Sequence, residues 1–367
     1  MSKKQWIAGL VVLSALVALL VWARYHIPFD FGKFRSQLAL ADWPRIVLAL
    51  GCIYLGYVFR SVRWALLMRH NKRVPVLSLV GTQVMGFTAV ALIGRVADLV
   101  RPYLVARKTN SELSSQIAVY IVERLSDMGA MALVLSLAII SLPQDQVAAA
   151  MHHSTRLSHL NESAPHVAAF IFRYGGLALT LLGVLFLVSV RIGGEAIARV
   201  FEMAFGVISK KLGHAVGHKI RTFRAGLDTI RSFADFAILF VLSVGMWVLI
   251  TCGYFETLRA FVASPQLASI DPARCVLLMV ISGSASVVQL PVLGWFSQIG
   301  IVAAALGGFF GAAPEAATAC AAMLLVVTFL GIIPVGLSWA QFENVNLRRV
   351  TAESEHAGEE LADDARA

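Results

Sequence analysis

Six runs of about twenty apolar residues, near 6–23, 45–68, 114–142, 166–190, 233–261 and 316–340, constrain this chain more than any other feature. Each is long enough to cross a hydrocarbon core as a helix. A segment inside a bilayer must satisfy its own backbone polar groups. These runs lack the period-two alternation of a membrane barrel, which leaves a bundle of helices. With 58% hydrophobic and 14% charged residues, the chain has too little polar surface to cover a soluble domain. The expectation is an all-α polytopic membrane protein.

Two further apolar stretches, 76–107 and 274–312, are broken in the middle and rich in small residues. The first breaks at Gly94, after which a short piece carries Arg95, Asp98 and Arg101. The second breaks across Gln289, Pro291 and Gly294 and continues through Gln298. Both read as re-entrant or broken helix pairs, giving six full spans plus two such pairs, or eight spans if the pairs are counted as spans. Residues 24–44 read as an interfacial connection. The first run resembles a signal peptide, with Lys3 and Lys4 ahead of it, but no small-x-small cleavage site follows, so an uncleaved anchor is expected.

The net charge of +9 does not point to nucleic acid, because the basic residues sit in short connections beside apolar runs. Lys3 and Lys4, the 69–73 loop, Arg107 and Lys108, the stretch 191–231, and Arg348 and Arg349 all fall on one side of the proposed span count. By the positive-inside rule that side is cytoplasmic, with both termini. Residues 191–231 hold eight Lys or Arg against three Asp or Glu, with apolar residues every three or four positions, and read as an amphipathic basic helix on the inner leaflet or against a partner. The tail, 342–367, has little apolar content and is expected to be disordered, leaving 1–341 as the membrane domain.

This count makes the first broken pair enter from the cytoplasm and the second from outside. Broken helices in matching, opposite-facing positions are the sequence mark of an inverted-repeat transporter with a site near the midplane.

The charges within the membrane are the candidate site, since an ionisable group at mid-depth costs about 2.5–3.5 kcal/mol on insertion scales and is seldom kept without a role. On a helix, Arg95, Asp98 and Arg101 share a face, and Asp98 can pair with either arginine. Glu123 and Asp127 are one turn apart, with Arg124 beside them. The two clusters either neutralise one another as a buried network or receive a polar headgroup between them. Arg60 and Arg63 lie near the end of span two, placed either to snorkel to the interface or to touch a headgroup.

His152, His153, His159 and His166 lack metal-ligand spacing, and Cys52, Cys252, Cys275 and Cys320 read as packed, reduced thiols. No nucleotide-binding loop, nucleophile elbow or metalloprotease helix appears. No enzymatic activity, cofactor or metal is expected; an intramembrane transferase using Glu123 or Asp127 as base would lack a nucleophile or metal set.

Gly94-Arg95-x-x-Asp98-Leu99-x-Arg101-Pro102, then Glu123-Arg124-x-x-Asp127, then Leu290-Pro291-x-x-Gly294, resembles the flippase-like membrane region of lysylphosphatidylglycerol synthases over about residues 10–340. The resemblance implies a bacterial inner-membrane protein that moves a phospholipid or other polar-headgroup lipid, anionic or zwitterionic, between leaflets. The alternative is a non-transporting partner that holds or presents lipid to a separate lipid-modifying, glycolipid or hopanoid synthesis enzyme. The synthases continue into an aminoacyl-transferase domain, whereas only a short acidic tail follows here, so lysyl-lipid synthesis is not implied. Trp295-Phe296-Ser297-Gln298 stands where relatives often have a Gly-rich stretch and an acid.

Overall fold

A computed structural model describes residues 29–69, 72–142, 233–285 and 293–364, with scattered positions between 170 and 209. The first expected span, the 143–165 loop with its histidines, most of span four, the basic stretch 191–231, and Gln289 and Pro291 lie outside the described residues. The described residues form twelve α-helices and no strand, so the all-α polytopic membrane fold holds.

Local signals explain most boundaries. Helix α1 (Phe31–Ala39) starts where Asp30 Oδ1 accepts from Gly32 N at 2.8 Å and Lys33 N at 3.1 Å. Helix α2 (Trp43–Met68) carries Pro44 in its first turn, where no intrahelical donor is needed. Helix α3 (Val76–Ile93) ends at Gly94, whose φ of 95° only glycine adopts without strain. A 3-10 turn (Arg95–Leu99) then leads into α4 (Val100–Thr109), which stops at Asn110 in the left-handed region. Next come α5 (Leu113–Ser141), α6 (Phe233–Arg259), the single turn α7 (Pro265–Ala268), α8 (Pro272–Ala285) and α9 (Leu293–Phe310). The last span is α10 (Pro314–Leu325), a π-helical turn (Val326–Leu330) and α11 (Ile332–Phe342), after which α12 covers Leu347–Asp364.

Among the described residues, five helical stretches are long and apolar enough to cross a membrane: 43–68, 76–93, 113–141, 234–259 and 314–342. Four match expected spans. The fifth is α3, which the sequence assigns to half of a broken pair, yet its 18 residues rise about 27 Å. The outer faces are apolar: Val47, Val241 and Phe309 are 66%, 67% and 76% exposed, as lipid-facing side chains would be.

Helix α2 packs along α6, α3 along α11, α5 along α8, and α9 along α10. Lipid tails give apolar helices no solvent-driven reason to associate, so close approach of small residues holds such contacts. Between α3 and α11 a Cβ on Gly336 would lie 1.8 Å from Thr88 Oγ1, and one on Gly81 would lie 2.0 Å from Trp339 Nε1. Gly336→Ala is therefore expected to destabilise the protein by about 1–3 kcal/mol. Thermal unfolding in detergent checks this, with Thr88→Gly in the same chain expected to recover part of the loss.

The tail departs from expectation. Residues 347–364 are helical and docked, because Leu347, Val350, Thr351 and Ser354 recur on one face and are buried. That face lies on the 3-10 turn, α4 and α3. Low average hydrophobicity concealed this stripe. Glu353 ties the contact down, accepting from Arg349 Nε at 2.7 Å and Tyr103 Oη at 3.0 Å. These hydrogen bonds, with Arg107 nearby, hold its carboxyl below the usual carboxylate range, so this tie weakens only as pH falls through that lowered value. Cys275 and Cys320 are buried, Cys52 half-buried and Cys252 exposed, and none is in a disulfide.

Candidate functional site

Three helices bring the intramembrane charges together. Helix α2 supplies Arg60 and Arg63 from one face, and α5 supplies Glu123 and Asp127 from successive turns. Helix α4 supplies Arg101, whose stem passes α3 at Gly86; a Cβ there would lie 2.1 Å from Arg101 Cγ.

Arg63 is the hub. Its Nη2 donates to Glu123 Oε1 at 2.7 Å, and its Nη1 to Asp127 Oδ1 at 2.5 Å and Ser243 Oγ of α6 at 2.8 Å. Arg60 Nη1 donates to Asp127 Oδ2 at 3.3 Å and lies 3.8 Å from Glu123 Oε1. Arg101 Nη1 donates to Glu123 Oε2 at 3.3 Å and to Gln83 Oε1 of α3 at 3.1 Å. Both carboxylates are thus shared between guanidiniums, with little or no solvent contact. A planar guanidinium suits this sharing because it presents several donors in fixed directions.

Two expectations are corrected. Snorkelling of Arg63 does not occur: its side chain is 0% exposed and that of Arg60 only 11%, because the carboxylates of α5 meet them inside the bundle. Arg101 does not turn to Asp98. A 3-10 turn up to Leu99 precedes α4, and Arg101 points instead to Glu123 and Gln83. The backbone of Arg95 opens that turn.

Aromatic faces complete the cationic group. Arg101 Cζ lies 4.5 Å from the Phe87 ring centre and 5.0 Å from that of Tyr120. Arg60 stands 5.0 Å over Phe87, and Arg124 5.1 Å over Tyr120. Nε and Nη2 of Arg101 and Nε of Arg124 are buried with no hydrogen-bond partner among the described residues.

Beside this network lies a cavity of about 490 Å³, within the usual range for small-ligand sites of about 300–1,000 Å³. Arg60, Asp98 and Arg124 line one part of it; Tyr254, Ser282 and Gln298 line another. Tyr254 Oη hydrogen-bonds Ser282 Oγ at 2.9 Å, and Gln298 Nε2 donates to the same hydroxyl at 3.2 Å. Tyr57, Phe87, Tyr120 and Trp247 supply apolar wall, and Thr328 and Phe329 of the π-helical turn complete it. The expected gate residue Gln298 is therefore at the cavity, and Gly294 is buried in the first turn of the same helix.

Sequence reasoning missed Gln83, Ser243, Tyr254 and Ser282. Single polar residues in apolar runs were the available signal for the first two. Among the described residues no group of His, Cys, Asp and Glu is placed to hold a metal ion.

Residues 6–336 match the family model described as the lysylphosphatidylglycerol synthase TM region. No curated protein matches the chain significantly. No solved structure does either.

Proposed function

Since the chain belongs to the family of the lysylphosphatidylglycerol synthase transmembrane region, we propose that it is a non-enzymatic lipid translocator that moves a polar-headgroup phospholipid between the leaflets of a bacterial inner membrane. The observation that carries this reading is the cavity of about 490 Å³ flanked by Arg60, Arg124 and Asp98 within a bundle of apolar helices. Arg63 and Arg101 balance the charges of Glu123 and Asp127, and the four act as the fixed base. Arg124 and the more loosely paired Arg60, 3.3 Å from Asp127, are the cations at the cavity wall, where they can meet a phosphate while Asp98 balances a cationic group. The hydroxyls and amide of Tyr254, Ser282 and Gln298 give polar contacts to the rest of a headgroup.

An inverted repeat is the architecture we favour. The helix before one broken pair (α2) packs on the helix before the other (α6). The first arm of each pair, α3 and α8, packs on the span that closes the opposite half, α11 and α5. Two opposed copies of one unit produce this exchange of partners. The basic connections orient both termini to the cytoplasm.

Leaflet-resolved lipid reporting in proteoliposomes tests the site. Arg124→Gln is expected to slow transfer by about ten- to a hundredfold, since a charge-assisted hydrogen bond contributes about 1.5–3 kcal/mol. An unchanged rate would overturn the assignment. If the wild-type chain moves no lipid yet co-purifies with lipid that the variant loses, the presenting-partner reading replaces translocation.

A further inference from the structure

We propose that the hollow between α4 and the start of α12 is a second ligand site, for a phosphate group, and that its occupation locks α12 against the 3-10 turn. The hollow has a volume of about 340 Å³. Met85 and Leu104 contribute apolar wall, and Arg107, Lys108, Arg349 and Glu343 supply its charges.

Three cations from two different elements surround this space, and two glutamates hold them. Lys108 Nζ lies 2.6 Å from Glu343 Oε1, Arg107 Nη1 is 3.5 Å from Glu353 Oε2, and Arg349 Nε is 2.7 Å from Glu353 Oε1. Positive charge is therefore in excess around the hollow. Arg107 and Arg349 are 67% and 79% exposed, so an approaching anion reaches them without displacing buried structure. Two arginines and a lysine offer both the forked and the point-charge grip that phosphate oxygens take. Ion pairs this exposed contribute only about 0–1 kcal/mol each, so a phosphate competes with the glutamates on favourable terms.

The locking follows from where the cations come from. Arg107 and Lys108 belong to α4 and Arg349 to α12, so the complete site exists only while α12 is docked. A ligand that binds one of two states shifts the population towards that state. Docking matters to the main cavity through one short segment. Leu99 lies against α12 so closely that a Cβ on Gly358 would sit 2.7 Å from its Cδ1, and the preceding residue, Asp98, lines that cavity. The second site is thus placed to report the local phosphate environment to the first. This inference does not depend on translocation, because binding and helix docking are measured without it.

The test uses the full chain in phosphatidylcholine nanodiscs and follows hydrogen exchange across 347–364. The probes are inorganic phosphate in solution and phosphatidic acid included in the disc. With a probe about tenfold above its Kd, exchange that requires undocking is expected to slow about tenfold. A response to both probes shows that the phosphate group suffices; a response to phosphatidic acid alone assigns the site to a lipid headgroup. Arg107→Gln with Arg349→Gln is expected to abolish the response. Because that pair of changes also removes the two ion pairs of Glu353, Lys108→Gln is run beside it, with both of those pairs intact, and is expected to weaken probe binding several-fold. No response to either probe, faster exchange on binding, or an unaltered response in Lys108→Gln would overturn the proposal.

Discussion

Glu123→Ala is expected to cost about 3–5 kcal/mol of stability. Breaking a buried ion pair from one side leaves the partner's charge uncompensated, and that penalty dominates. Here the carboxylate serves Arg63 at 2.7 Å and Arg101 at 3.3 Å, with Arg60 3.8 Å away. Thermal unfolding in detergent and the monodisperse fraction on gel filtration measure the effect. A companion Arg101→Met is expected to recover part of the loss, because Arg63 keeps Asp127 whereas Arg101 is left with only the neutral Gln83. A Glu123→Ala protein as stable as wild type would mean that the guanidiniums find other partners.

Gly86→Ala is expected to cost about 3 kcal/mol or more, although it adds a single methyl group. The new carbon would meet Arg101 Cγ at 2.1 Å, in the middle of the side chain rather than at a mobile end. Arg101 cannot step aside without leaving Glu123 and Gln83. Overpacking alone costs about 1–3 kcal/mol, and the displaced charge-assisted hydrogen bond adds about 1.5–3 kcal/mol. Thermal unfolding is again the measure. Because Arg101→Ala removes the atoms that Gly86→Ala would strike, the double variant is expected to be no less stable than Arg101→Ala alone.

The helical architecture was legible because apolar length and positive φ are local properties. The long runs gave α2, α5, α6 and the last span, and Gly94 marked the end of α3. The charged residues of the site were also visible, since any Arg or Glu within an apolar run is conspicuous. Their pairing was hidden. Arg63 and Glu123 are 60 positions apart, and no spacing rule reports that a guanidinium on one helix faces a carboxylate on another. The neutral side of the cavity was hidden for a different reason: Tyr254 and Ser282 resemble ordinary residues of apolar helices until the fold brings them to one wall. The docked tail was misjudged because its buried face consists partly of Thr351 and Ser354, which hydropathy counts as polar.

The π-helical turn at Val326–Leu330 bears on how one span serves two masters. Gly331 N reaches back five residues to Val326 O at 2.6 Å, where an ordinary helix reaches back four. Such an added residue swings everything after it by about 100° around the helix axis. Carbonyl oxygens at the join are caught from neighbouring helices, that of Gly331 by Tyr54 Oη at 2.7 Å and that of Ile332 by Thr88 Oγ1 at 3.3 Å. The alanine-rich flank of α10 can therefore address α9 while Gly336 addresses Thr88, two azimuths that an unbroken thread of sequence would have to reconcile on a single stripe.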